Sequence, residues 1–302
     1  MINRITTMKV SEMKMVFFGT PELAVYVLEE LKEAGIVPAL VVTMKDKPAG
    51  RKLTLTPPPV KVWAEKNDIE VLQPVSLTSE DEIELLANSE WDLFVVAAYN
   101  AMLPQALLDM PRFGVLNVHP SLLPKLRGPS PVRSAIRNDA EAHVGVSIIA
   151  LDEKMDHGPL VAQATVELPV WPERGAVLDE ILFREGGRLL TEVIPAWING
   201  EITPEEQNHT EATYTEKFEK KDGEIFLEDN GYKNYLNFCA HDGWPGTFFF
   251  ATCRDKQVRV KVTDAEYNSD TDTFVIQKVV PEGKKEMEYE VWQKSCLASN
   301  KI

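Results

Sequence analysis

Met13-Lys-Met-Val-Phe-Phe-Gly-Thr-Pro-Glu-Leu-Ala24 is the stretch from which the fold of this 302-residue chain is read. Residues 13–20 form an apolar run rich in Val and Phe, the signature of a buried strand. Gly19 ends it. Thr20 is placed to cap a helix, Pro21 suits the first helical position, and Glu22 suits the first turn. Apolar residues at 24, 27, 28 and 31 give one helical face up to Ala34, and Gly35 closes it. Residues 37–43 read as a second strand. A strand, a helix and a strand in this order predict a parallel, doubly wound α/β sheet. The first turn is Gly-Thr-Pro-Glu, not the three-glycine dinucleotide fingerprint. Lys45-Asp46-Lys47 stands where a lone ribose-binding acid would be expected, which argues against NAD or FAD.

Moving outward, residues 48–59 hold four prolines and a glycine and read as a long loop. A helix over 60–67, a strand over 70–72, a helix over 79–88 and an apolar strand over 93–97 continue the alternation. Tyr99 follows that last strand, at the end where open α/β sheets bind ligands. Residues 113–118 are the next strand. Asn117 and His119 are two apart, so an extended backbone turns them to one face, and Pro120 stops the ladder. Alone, such a pair is compatible with a structural role. Beside it stand the loop Ser121-Leu122-Leu123-Pro124, then Arg127-Gly128, and further on Asp152-Glu-Lys-Met-Asp156-His-Gly158-Pro after a strand over 143–151. An amide, an imidazole and a carboxylate suit acyl chemistry: a donor for an oxyanion, a proton carrier and a group to orient it.

The run Asn117-Val-His119-Pro-Ser121-Leu-Leu-Pro124 with Arg127-Gly128 and Asp156-x-Gly158 resembles the signature of the folate-dependent formyltransferases. The opening Gly19-Thr20-Pro21-Glu22, the loop Lys47-Pro-Ala-Gly-Arg51, Trp244-Pro-Gly-Thr-Phe and the segment at 281–287 are similar to the branch that acts on initiator tRNA. The likeness runs from about residue 13 to about 291. It implies a Rossmann-like formyltransferase core followed by a small OB-like β-barrel. It also implies transfer of the formyl group of 10-formyltetrahydrofolate to the amine of initiator methionyl-tRNA. Asn117, His119 and Asp156 would be catalytic, with His119 left open between general base and oxyanion donor. Ser121, Leu122, Leu123, Pro124 and Tyr99 would hold the folate. Lys47, Arg51, Lys52 and Arg127 would meet the tRNA, and no metal is implied. Two positions depart from the family's habit. Lys52-Leu53-Thr54 follows the loop arginine in place of Gly-Lys-Lys, and Asn100 replaces a glycine.

Composition sets the frame. Net charge is −15, which argues against bulk nucleic-acid binding and DNA. Basic side chains nevertheless gather at 45–61 and 112–137, as local anion docks. Cys239, Cys253 and Cys296 show no paired or metal spacing, which reads as a reducing compartment without zinc. No apolar run reaches the ~20 residues that cross a bilayer. The expected organisation is an extension over 1–12, a catalytic domain over 13–200, a polar linker over 201–214 and a β-barrel over 215–302. A cytoplasmic or organelle-matrix monomer is expected. Arg259 and Lys261 share a strand face in the last domain and are its candidate RNA contacts. The alternatives are a sugar-amine N-formyltransferase, a glycinamide ribonucleotide formyltransferase, or a non-catalytic RNA-binding protein. The last is disfavoured by the intact trio and the second by about 95 extra C-terminal residues, a small domain's worth.

Overall fold

A computed structural model describes residues 8–50, 53–77 and 80–297. In chain order the elements begin β1 (Met15–Phe18), α1 (Glu22–Glu33), β2 (Leu40–Val42), β3 (Lys47–Ala49), β4 (Thr54–Thr56), α2 (Pro59–Lys66) and β5 (Glu70–Leu72). Then come α3 (Glu80–Ala87), β6 (Leu93–Ala97), α4 (Gln105–Leu108), β7 (Val115–His119), α5 (Pro131–Arg137), β8 (Gly145–Ala150), β9 (Leu160–Thr165) and α6 (Gly175–Ile198). The chain closes with α7 (Gly231–Ala240), β10 (Phe248–Cys253), β11 (Lys256–Asn268), β12 (Thr273–Pro281), β13 (Met287–Glu288) and α8 (Tyr289–Leu297). Two compact units result. One comprises Met1–Gly128, His143–Val166 and Asp179–Tyr214, and the other Pro129–Ala142, Glu167–Leu178 and Thr215–Ile302.

The first unit is built on a seven-stranded sheet of order β5-β2-β1-β6-β7-β8-β9. Strands β5, β2, β1, β6 and β7 are parallel, while β8 and β9 add antiparallel pairs. Every residue of β1, β2, β6 and β7 is buried, as expected of strands covered on both faces. Val16, Phe18, Val42, Phe94, Val96 and Leu107 form the core on one face. Strand order reverses between β1 and β6, so the ligand crevice is expected outside the C-terminal ends of β6 and β7. The α/β fold class read from residues 13–43 is what the structure has.

Two local readings are corrected here. Thr20 does not cap α1: the helix starts without a side-chain cap, and the Thr20 carbonyl instead accepts the Val60 N–H at 3.4 Å. Residues 48–59 are not simply a loop. Lys47 pairs with Thr56 and Ala49 with Thr54, making the hairpin β3–β4. Pro48 sits in that hairpin because a two-stranded ribbon leaves half of its N–H groups outside the ladder.

The second unit carries a four-stranded antiparallel meander, β10-β11-β12-β13. It is the small C-terminal β structure that the short strands and polar turns indicated. Helices α5 and α7 belong to the same unit. The cysteine reading is corrected: Cys253 on β10 and Cys296 on α8 are joined by a disulfide, and Cys239 is a buried free thiol. Their separation of 43 residues gives no signal, because pairing depends on β10 and α8 becoming neighbours.

His241 follows α7 and is fully buried, with its ring 5.1 Å from that of Phe218. The Asn237 carbonyl lies 2.8 Å from Nδ1 and can only accept, so the proton is on Nδ1. Burial, chiefly, pushes the imidazole down to about 4, with Arg137 and Arg133 adding to it and the Asn237 bond opposing. The folded state therefore keeps His241 neutral while the unfolded chain takes up a proton below pH ~6.5. Stability from this group is complete above pH ~6.5 and is lost as pH falls toward 4, by about 3 kcal/mol in all. A His241→Phe variant should lose less unfolding free energy than wild type between pH 6.5 and 4. An equal fall in unfolding free energy for the two proteins between these pH values, measured by denaturant titration, would contradict this.

Candidate active site

The site forms where β6, β7 and the turn after β8 meet. A cavity of about 100 Å³ is walled by Val96, Tyr99, Leu103, Asn117, Leu151 and Asp156, among others. Asn117 reaches it because β7 pairs with β6 at Val96 and with β8 at Ile149, which fixes its face. Its side-chain amide is not committed to a partner among the described residues. Tyr99 leans its ring edge on Phe18, 5.6 Å between centroids. Met102 and Met155 stand half-exposed at the cavity.

His119 ends β7 and is 4 % exposed. Its Nε2 lies 3.1 Å from the Leu126 carbonyl, and its Nδ1 lies 3.5 Å from Asp156 Oδ1. Both ring nitrogens thus face acceptor oxygens. The other Asp156 oxygen accepts the Gly128 N–H at 2.7 Å. Asp156 itself has φ +49°, and a Cβ on Gly158 would run into the Ala150 carbonyl oxygen. The Asp156 turn therefore needs a glycine at 158 to lie this close to β8. The sequence-predicted trio is brought together.

The other expected residues divide. Ser121, Leu122, Leu123 and Pro124 do not wall this cavity. Every backbone N–H and C=O they carry has a protein partner: His119, Lys125, His143, Ser147, Gln163 and Thr213 supply them. These contacts fix the path of the loop, and each of its carbonyls keeps a second lone pair. Ser147 Oγ donates to the Ser121 carbonyl at 2.7 Å, and Gln163 Nε2 donates to Ser147 Oγ at 2.8 Å and to the Leu123 carbonyl at 2.9 Å. The reading of Arg127 is corrected. It is 1 % exposed, and its guanidinium is spent on Gln207, His209 and Tyr214, so it cannot meet a tRNA. Lys47 is exposed on β3. Arg51 and Lys52 lie outside the described residues. Arg259 is exposed over the Phe248 ring at 3.8 Å, and Lys261 shares its face of β11, partly covered beside Gly246.

Sequence reasoning missed a second layer behind the Asp156 turn. Gln207 is buried among polar residues that carry no periodicity. His157 Nδ1 lies 2.6 Å from Asp152 Oδ2, and its ring stacks on His209 at 4.0 Å. The guanidinium of Arg127 can only donate, so His209 Nδ1, 2.9 Å away, must be the acceptor. Burial and then the neighbouring His157 and Arg127 hold the His209 imidazole below its ordinary value. Among the described residues no group of His, Cys, Asp and Glu could hold a metal, and no helix is long and apolar enough to cross a membrane.

Residues 13–194 match the family model described as formyl transferase. The methionyl-tRNA formyltransferase of Chloroflexus aurantiacus is 44 % identical over 238 residues, 79 % of this chain and 76 % of that protein. That of Halalkalibacterium halodurans is 42 % identical over 233 residues, 77 % and 73 % of the two chains. Among solved structures, HypX from Aquifex aeolicus in complex with tetrahydrofolic acid aligns with a TM-score of 0.63 at 16 % identity, covering 94 % of this chain and 47 % of that one. The methionyl-tRNA formyltransferase from Clostridium thermocellum aligns at 0.56 and 14 % identity, covering 91 % and 99 %. A sugar N-formyltransferase from a Shewanella species gives 0.61 at 15 %, covering 85 % and 99 %, so the fold alone does not separate acceptors.

The close approach at Gly158 has a measurable consequence. Gly158→Ala should cost ~2–3 kcal/mol, since its methyl meets backbone on β8 and cannot be relieved by a rotamer change. A urea midpoint equal to that of wild type would show that the turn can move away.

Proposed function

The chain belongs to the formyl transferase family, and we propose that it moves the formyl group of 10-formyltetrahydrofolate to the α-amine of methionine on initiator tRNA. The observation that carries the reading is the convergence of Asn117, His119 and Asp156 on one small cavity. The acceptor is supported by relatives named for methionyl-tRNA that share 39–44 % identity over most of this chain.

The cavity suits one end of a folate. Tyr99, Leu103 and Leu151 offer apolar wall for a flat ring, and Asn117 and Asp156 line the cavity where the formyl group reacts. At about 100 Å³ it is smaller than the ~300–1,000 Å³ of a pocket for a whole ligand of this size. The remainder of the folate therefore lies outside it, past Met102 and Met155. Bound there, the folate supplies a formyl group already activated on nitrogen.

Asn117 Nδ2–H donates to the formyl oxygen as it gains charge under attack by the methionine amine. The attacking nitrogen must lose one proton and the departing folate nitrogen must gain one. The Asp156–His119 pair carries it, with Asp156 on the cavity wall and His119 behind. With the Leu126 carbonyl beside Nε2 and Asp156 beside Nδ1, the His119 ring holds Asp156 in place. No step uses a metal.

Lys47 on the hairpin meets the tRNA, as do Arg51 and Lys52, and Arg259 and Lys261 form a second contact strip on β11. On this reading the protein acts as a monomer in the cytoplasm, a location that its bacterial relatives support. A disulfide there is unusual, so Cys253–Cys296 is the feature that speaks for another compartment.

Asn117→Ala should fold and bind folate as wild type does, and lose ~10²–10³ in turnover. The measurement is transfer of labelled formyl from 10-formyltetrahydrofolate to methionyl-tRNA, with a nucleotide amino sugar as the competing acceptor. Wild-type turnover in the variant would remove Asn117 from the mechanism. Transfer to the sugar alone would remove the tRNA reading.

A further inference from the structure

Gln207 lies in the polar stretch between α6 and the second unit, yet it is 4 % exposed. Its amide is used at both ends. Nε2 donates to the Asp156 carbonyl at 2.9 Å and to the Gly158 carbonyl at 2.6 Å. Oε1 accepts from Arg127 Nε at 3.2 Å and Nη2 at 2.6 Å. A guanidinium only donates and a carbonyl only accepts, so the amide has one possible orientation. Gln207 therefore fixes the backbone of the turn whose side chain is the Asp156 carboxylate.

Arg127, which holds Gln207, sits between two residues that hold the site. Leu126 offers its carbonyl to His119, and Gly128 gives its N–H to Asp156. Arg127 is itself anchored by its N–H to the Thr213 carbonyl at 2.8 Å and by His209 Nδ1 at 2.9 Å. Two routes thus tie the same loop to the same turn. One passes through the Asp156 carboxylate and the other through Arg127, Gln207 and the Asp156 and Gly158 carbonyls. The first alone leaves the turn free to pivot about its side chain. The second fixes the backbone from behind. Asp156 needs that support, since a residue other than glycine at φ +49° keeps the conformation only when its surroundings impose it.

We infer that Gln207 is a positioning residue, carried by Arg127, which sets the Asp156 carboxylate against His119 and so governs turnover rather than folate affinity. The inference rests on the proposed roles of Asn117, His119 and Asp156.

Gln207→Glu is the discriminating variant. It keeps an acceptor for Arg127 at the same length but turns a second oxygen toward two carbonyl oxygens, where the wild type has two N–H donors. The experiment measures kcat, KM for 10-formyltetrahydrofolate and thermal unfolding for wild type and Q207E, and repeats the substitution in an Asp156→Asn background. A small misplacement of a catalytic group costs up to ~10²-fold. The expected result is a kcat lowered ~10–100-fold, a KM within about twofold and a cooperative unfolding transition. In the D156N background Q207E should cost nothing more, because a residue acting through Asp156 has nothing left to position. If Q207E does not fold, Gln207→Met, neutral and of similar length, carries the same expectation. Wild-type kcat in the variant, or an equal fold loss in both backgrounds, would overturn the inference. An inactive wild type would count against the formyl transfer itself; an active wild type with an indifferent Q207E counts against Gln207 alone.

Discussion

One carboxylate holds the site together. Asp156 accepts the N–H of Gly128 with one oxygen and faces His119 with the other. It therefore joins the loop after β7 to the turn after β8, two segments that the sheet delivers side by side but does not itself connect. The sheet explains why this is possible. Asn117 and His119 stand on the last parallel strand of β5-β2-β1-β6-β7, and β8 returns antiparallel beside it. The turn that follows β8 then opens at the Tyr99 side of the cavity. The required features are local: a glycine at 158, a left-handed Asp156 and an amide brace from behind.

Much of this is legible in the sequence because it rests on short-range rules. Apolar runs and a 3.6-residue period give β1, α1 and β2, and parallel topology follows from their order. The two-residue spacing of Asn117 and His119 gives their shared face, and Pro120 marks the end of the strand. What is not legible depends on distant partners. Arg127 reads as a loop cation, and only the return of residues 205–214 against the loop buries it. Gln207 has no pattern of its own, since a polar residue among polar residues looks solvated until Arg127 and two carbonyls surround it. Prolines hide the hairpin β3–β4, and 43 intervening residues hide the Cys253–Cys296 bond.

The division of labour between chemistry and acceptor follows the same line. The trio and its cavity lie within the first unit, and solved relatives of the fold include proteins named for sugars as well as for methionyl-tRNA. On the proposed reading, acceptor choice falls to surfaces: the β3–β4 hairpin with Lys47, and β11 with Arg259 and Lys261. With a net charge of −15 over the chain, such strips attract a phosphate backbone only where they are concentrated.

The central claim is that the Asp156 carboxylate carries the proton between the two nitrogens. Single-turnover transfer of labelled formyl to methionyl-tRNA by Asp156→Asn, with enzyme saturated in folate, tests it most directly. Asparagine keeps the size of the side chain and an oxygen for the Gly128 N–H, but it cannot take the proton. The account expects folate binding unchanged and a transfer rate at least ~10²-fold below wild type. Transfer at the wild-type rate would contradict it.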